Sequence, residues 1–259
     1  MHTTDRIALV TAATGGIGLG IARALLDAGH RVVISGRDPQ KGERVAKELS
    51  PDGRAGFVAA DALDRAAVEA LVDRVAELHG RIDVLVNNAG GSSGFAQVHE
   101  LSDEAWMQAF HWNVSSTFWA TRRALPHMMR QGFGRIVNIS SVQGKQVNRA
   151  KASHYVMAKH AVNGFTKAVA FEYGRSGITC NAVCVGAVET DLMRTAGARS
   201  AEAEGVSYEF YRQRYADLAL TGRLNTPEEV GAMVALLASD QGAGITGSVV
   251  NVDGGICAY

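Results

Sequence analysis

Neither sign of charge dominates this 259-residue chain, in which 26 Lys and Arg stand against 26 Asp and Glu. The balance leaves no global field to draw it to nucleic acid or to an anionic membrane. Proline is scarce at four residues and low-complexity tracts are missing, which argues against a disordered linker. The three cysteines, Cys180, Cys184 and Cys257, form an odd set without a CxxC. That fits a reducing compartment better than a disulfide framework, and no metal site is expected. No apolar run reaches the roughly 18 residues of a membrane span. The start, Met1 to Arg6, is polar rather than a charged-then-apolar leader. A soluble cytoplasmic protein is expected.

What is present is a rhythm. Short β-branched runs at 7–10, 32–35, 57–60, 84–86, 136–139, 179–183 and 249–252 alternate with longer amphipathic stretches. Helices are expected at 16–28, closed by Gly29, at 39–49, and past residue 60 with Ala67, Leu71, Val75 and Leu78 on one face. Longer helical patterns cover about 102–131 and 152–173. Continuous apolar strands separated by helices predict an α/β fold, a doubly wound parallel sheet covered on both faces. No repeat or composition break divides residues 1–259, so one domain is expected. Segment 190–224 departs from the rhythm, being rich in Arg, Glu and Tyr and poor in core-forming residues. It reads as a helical lid inserted over the sheet edge.

Val10-Thr-Ala-Ala-Thr-Gly-Gly-Ile-Gly18 follows the first strand and opens the first helix. There, backbone N–H groups and the helix dipole can receive a pyrophosphate. A glycine-rich turn without a ligand is the plainer alternative. Two further features favour the ligand. Asp61 ends the third run, where a carboxylate can accept from an adenine amino group, and Asn87-Asn-Ala-Gly90 follows the fourth at the sheet's carboxyl edge. Each alone is an ordinary turn former; three on successive strand ends are not a coincidence. After the second run comes Ser35-Gly-Arg-Asp38. A carboxylate at that place selects NAD(H) by its ribose 2′-OH, and an arginine accommodates a 2′-phosphate. Arg37 favours NADP(H), while Asp38, one residue on, keeps NAD(H) open.

Tyr155-Val-Met-Ala-Lys159 puts a phenol and an ammonium on one helical face. A nearby ammonium lowers a phenol's pKa, which suits acid/base work. The same spacing also serves plain cation–π packing. Ser140 and Ser141 end the fifth run, where a hydroxyl can orient a carbonyl oxygen or cap a turn. Asn113 falls mid-helix, where asparagine has mediocre propensity. A buried amide there either bends the helix and holds a water or is a satisfied core group.

Taken in order, Thr11…Gly-Gly-Ile-Gly18, Asp61, Asn87-Asn-Ala-Gly90, Asn113, Ser141, Tyr155-x-x-x-Lys159 and Asn181-Ala-Val…Gly186…Thr190 resemble the short-chain dehydrogenase/reductase family. The resemblance spans nearly the whole chain, through Thr246-Gly and Asp253-Gly-Gly255. It implies a Rossmann-like sheet of seven strands and a hydride exchanged between NADP(H) or NAD(H) and a carbonyl/alcohol pair. It further implies that Tyr155 donates the proton, Lys159 binds the nicotinamide ribose and lowers the tyrosine pKa, Ser141 polarises the carbonyl, and Asn113 holds a relay water. Thr11, Thr14, Gly15, Gly16, Ile17, Gly18, Arg37, Asp61, Ala62, Asn88, Ala89, Gly90 and Gly186 would line the cofactor. Thr190, and Val188 through its backbone, would meet the carboxamide. The chain departs from the family pattern at Ala12, where glycine is usual, and at Val185, where proline is usual. The interval from Ser141 to Tyr155 is also one residue longer than in many relatives. Within the family, Ser140-Ser-Val-Gln-Gly-Lys-Gln, Lys159-His-Ala-Val-Asn-Gly-Phe-Thr-Lys167 and Asn181-Ala-Val-Cys184 are similar to aromatic-polyketide ketoreductases.

The leading expectation is therefore an NADPH-dependent reductase of a β-ketoacyl or polyketide-like ketone, free or carrier-bound, acting as a homotetramer. An NAD(P)-dependent dehydrogenase of a small or cyclic secondary alcohol is the second reading. A non-catalytic cofactor sensor is the third, disfavoured because a sensor needs no proton donor.

Overall fold

The computed structural model describes residues 6–257; Met1 to Asp5, Ala258 and Tyr259 lie outside the described residues. Seven strands form one parallel sheet: β1 (Ile7–Val10), β2 (Arg31–Gly36), β3 (Ala55–Ala59), β4 (Val84–Asn87), β5 (Gly134–Ser141), β6 (Ile178–Val185) and β7 (Val249–Val252). Their order is β3-β2-β1-β4-β5-β6-β7. The chain thus winds outward in both directions from the β1/β4 boundary, the place where open α/β sheets leave a crevice at their carboxyl edge. The register sets Val10 beside Val86, Asn87 beside Asn138 and Ser141 beside Val185. That alignment brings the ends of four strands to one rim. β1, β4, β5 and β6 are buried along their whole length, as strands covered on both faces must be.

The helices are α1 (Gly16–Asp27), α2 (Pro39–Leu49), α3 (Arg65–His79), α4 (Asp103–Phe110), α5 (Ser116–Gln131), α6 (Ser153–Tyr173), α7 (Asp191–Ala203), α8 (Tyr208–Ala216) and α9 (Pro227–Ala238). One face of the sheet packs on α1, α2 and α9 through Ile21, Leu25, Val45, Val230, Val234 and Leu237. The other packs on α3, α5 and α6 through Leu71, Val75, Ala124, Met128 and Val169.

Three local expectations need correction. The helix expected over 102–131 is two helices, α4 and α5, joined by a π turn at His111–Ser115. The inward stripe of α3 is Val68, Leu71, Val72, Val75 and Ala76, whereas Leu78 points outward and is 51% exposed. The stripe follows the side of α3 that meets α5, and Leu78 lies beyond it. β3 ends at Ala59, so Asp61 stands past the strand rather than closing it. Segment 190–224 is helical, built from α7 and α8. Among its described apolar side chains it buries only Ala201, Tyr211, Ala216, Ala219 and Leu224, and Arg212 ties it back to Glu189 at 2.7 Å.

Candidate active site

Three cavities run in series along the carboxyl rim. The first, about 360 Å³, is lined by Thr11, Thr14, Gly36, Arg37, Asp61 and Ala62, with Leu63, Ala89 and Trp112. The second, about 450 Å³, is lined by Gly15, Gly16, Ile17, Gly18, Lys41, Asn88, Gly90, Lys159, Gly186 and Thr190. Ala12, Thr14 and Trp112 belong to both walls. The third, about 700 Å³, lies between residues 141–155 and the α7/α8 segment. It shares Ser141, Tyr155 and Gly186 with the second.

The loop after β1 is held by the loop after β4. Asn88 Nδ2 donates to the carbonyls of Thr11 and Ala12, both at 3.0 Å. The Thr11 hydroxyl accepts from the backbone N–H of Asn88 (3.0 Å) and Ala89 (3.1 Å). Thr11 and Asn88 therefore fasten two strand ends together. At the end of β2, Asp38 caps α2 by accepting from Lys41 N–H at 3.0 Å. Its carboxylate is spent there and is not on the wall of the first cavity, whereas Arg37 is. Asp61 lines that cavity, and its carboxylate accepts from Leu63 N–H at 3.0 Å.

The π turn carries Asn113 inward. Its Nδ2 donates to Gly91 O (2.7 Å) and Ala109 O (2.8 Å), and its Oδ1 accepts from Gly91 N–H (3.2 Å). These bonds to the protein let the amide clamp the loop after β4. A Cβ on Gly90 would stand 2.6 Å from Asn113 Oδ1 and 3.1 Å from Lys159 Nζ, so any other residue there would displace one or both.

Lys159 is buried and donates to Ile139 O at 2.9 Å. Burial brings its pKa down to about 8. Its Nζ lies 5.6 Å from the Tyr155 ring centroid. The lowering of the Tyr155 pKa expected from this ammonium does not prevail: burial pushes the phenol up, opposed by a hydrogen bond with Ser141 and by the charge of Arg149. The cause is common to both groups, since a dry site penalises phenolate and ammonium alike. Ser141 Oγ also accepts from Gln143 N–H at 3.2 Å.

Other expected residues fall into place unevenly. Thr190 caps α7 through Met193 N–H (3.1 Å) and still lines the second cavity. Val188 packs in the core and bridges to Asn225, away from the cavity walls. Val185, the departure from proline, completes β6 between Ser141 and Val252. His154 is fully buried, with Nε2 at 2.6 Å from Ser92 Oγ and 2.9 Å from Ser93 O, and does not reach the cavities. Sequence reasoning missed Lys41 and Trp112. Lys41 was findable as the cation four residues after Arg37; Trp112 had no signal, because only the π turn aims it at the rim.

A family model described as enoyl-(acyl carrier protein) reductase matches residues 11–257. The chain is 40% identical over 258 residues, 98% of each chain, to a Streptomyces virginiae protein assigned as a monensin polyketide synthase ketoacyl reductase. It is 38% identical over 266 residues to 3beta-hydroxysteroid dehydrogenase of Mediterraneibacter gnavus, covering 98% of this chain and 96% of the relative. A variant of actinorhodin polyketide ketoreductase solved with NADPH superposes with a TM-score of 0.92 at 41% identity, covering 98% of both chains. With its sheet order and its strand-end motifs in place, the chain belongs to the short-chain dehydrogenase/reductase family, oxidoreductases of CH–OH and C=O groups.

Proposed function

We propose that the chain is an NADPH-dependent reductase of ketones, of the β-ketoacyl or polyketide-like class, with Tyr155 as general acid. One observation carries the reading: the glycine-loop cavity and the cavity under α7 and α8 meet at Ser141, Tyr155 and Gly186. A carbonyl at that junction has two hydroxyls beside it. Similarity to an NADPH-bound polyketide ketoreductase supports the same choice of cofactor and substrate class.

The residues present fit a dinucleotide. The glycine loop opens on the N-terminus of α1, where unpaired N–H groups and the helix dipole favour phosphate. The bare Cα of Gly90 leaves room beside Lys159 Nζ for a ribose. Arg37 and Lys41 supply cations on the cavity walls while Asp38 is turned away into its cap, which supports NADP(H) over NAD(H). Asp61 and Ala62 would flank the adenine, and Thr190 would face the carboxamide.

When bound, the nicotinamide supplies a hydride to the carbonyl carbon. Tyr155 Oη gives its proton to the carbonyl oxygen as negative charge develops there, and Ser141 Oγ donates a second hydrogen bond to that oxygen. A phenol kept protonated by burial suits reduction. Lys159 Nζ, with a pKa near 8 and on the wall of the open second cavity, returns the proton that Tyr155 gives up. The secondary alcohol then leaves past α7 and α8, which act as a lid.

The test is NADPH consumption by the purified protein across ketones and ketoacyl thioesters. Tyr155→Phe should lower kcat by at least about 10²-fold while the NADPH dissociation constant changes little. If the variant kept more than about a tenth of the rate on a verified substrate, the phenol would not be the acid.

A further inference from the structure

Among the described residues, the cavity under α7 and α8 carries a positive charge that no carboxylate pairs with. Three charged residues line it: Arg149, Glu204 and Arg214. Glu204 and Arg214 already pair with each other at 2.5 Å, joining α7 to α8. Among the described residues no Asp or Glu pairs with Arg149. Its guanidinium rests instead over the Phe95 ring, 4.3 Å from the centroid. Phe95 in turn leans on the buried His154, with ring centroids 5.5 Å apart. This stack fixes where the arginine sits without consuming any of its five N–H donors. From there its charge reaches both sides of the cavity, acting on Tyr155 and on Tyr215 of α8. A cation held by aromatic contact at a cavity wall, beside a carboxylate already neutralised, is a seat for an anion brought by the ligand.

We propose that Arg149 selects ketones bearing an anionic oxygen group, a carboxylate or a phosphate, set apart from the reacting carbonyl. The inference rests on the reading of this site as a ketone reductase. A carboxylate would belong to a free keto acid, and a phosphate to the pantetheine arm of a carrier-bound thioester. The reaction is unchanged: hydride goes to the carbonyl carbon and a proton to its oxygen, with the anion a spectator held in place.

The experiment compares two matched pairs with NADPH: 4-oxocyclohexanecarboxylate against its primary amide, and acetoacetyl 4′-phosphopantetheine against acetoacetyl pantetheine. Within each pair the shape of the reacting part is kept and only the charge differs. The native protein should prefer the charged member of at least one pair roughly tenfold or more in kcat/KM, through KM rather than kcat. In Arg149→Gln that ratio should fall to near one, and Arg149→Lys should restore part of it. The pair that shows the effect identifies the source of the anion. Equal treatment of charged and neutral members in both pairs, or a preference that survives Arg149→Gln, would overturn the proposal. Should none of the four be reduced, calorimetric titration into the protein–NADPH complex applies the same criterion to binding: a charge preference abolished by Arg149→Gln supports it, and no preference refutes it. Failure to reduce any ketone at all counts instead against the reductase reading.

Discussion

Ala12 has a left-handed backbone, with φ of 51°, at the loop position where the family resemblance leads one to expect glycine. An L-residue in that region costs roughly 1–2 kcal/mol. Glycine would give back about 0.4–1 kcal/mol through its greater freedom in the unfolded chain. The Ala12 methyl is exposed, so removing it forfeits no packing. Ala12→Gly should therefore stabilise the protein by about 0.5–1 kcal/mol, a rise in Tm of roughly 1–4 °C for a chain of this size. A thermal melt that came out unchanged or lower would contradict this balance. Tyr155 and Lys159 teach a different lesson at the same scale. Spacing alone suggests that the ammonium activates the phenol, yet burial acts on both groups and leaves the phenol protonated.

The turn from β2 into α2 shows how an element decides what a residue is for. Arg37 and Asp38 are adjacent, and either could have faced the first cavity. Starting α2 at Pro39 makes Asp38 the N-cap, which commits its carboxylate to Lys41 N–H at 3.0 Å. Arg37 is left on the cavity wall, which Asp38 does not line. Arg37→Ala should then weaken NADPH binding by roughly 1.5–3 kcal/mol, the value of a charge-assisted contact, and leave NADH nearly untouched. Fluorescence titration reads both, and an equal loss for the two cofactors would remove Arg37 from the 2′-phosphate site. The π turn at His111–Ser115 is the parallel case on the other side of the sheet. The extra residue it accommodates rotates Asn113 onto Gly91 and Trp112 toward the rim.

For the whole molecule, the layer made by α4, α5 and α6 leaves more apolar surface in water than a monomer of this size needs. Trp106, Met107, Phe118, Met129 and Phe171 are all at least 40% exposed, Phe171 at 92%. The family resemblance implies pairing through the helical stretches 102–131 and 152–173 and through the C-terminal strand, and the exposed apolar side chains on the helices support the helical part. Light scattering at micromolar concentration should give about four times the 27.4 kDa of one chain, and Phe171→Asp should reduce it. A native mass near that of one chain would sink the idea.

The sequence by itself determined the sheet, its parallel sense and the rim residues, because continuous apolar strands have few ways to be covered and glycine and Asx residues mark strand ends. Ser141, Tyr155 and Lys159 stand out through the family resemblance, since their types and spacing alone also fit turn capping and cation–π packing. What the sequence did not contain was any relation between residues distant in the chain. That Thr11 and Asn88 hold each other, that Asn113 serves Gly91, and that Leu78 faces outward all depend on how packed elements rotate. The same holds for Arg149, which reads as one more surface charge until Phe95 and the Glu204–Arg214 pair come up beside it. Burial, which set the direction of both the Tyr155 and Lys159 shifts, is a property of the folded environment alone, and only the tertiary structure decided it.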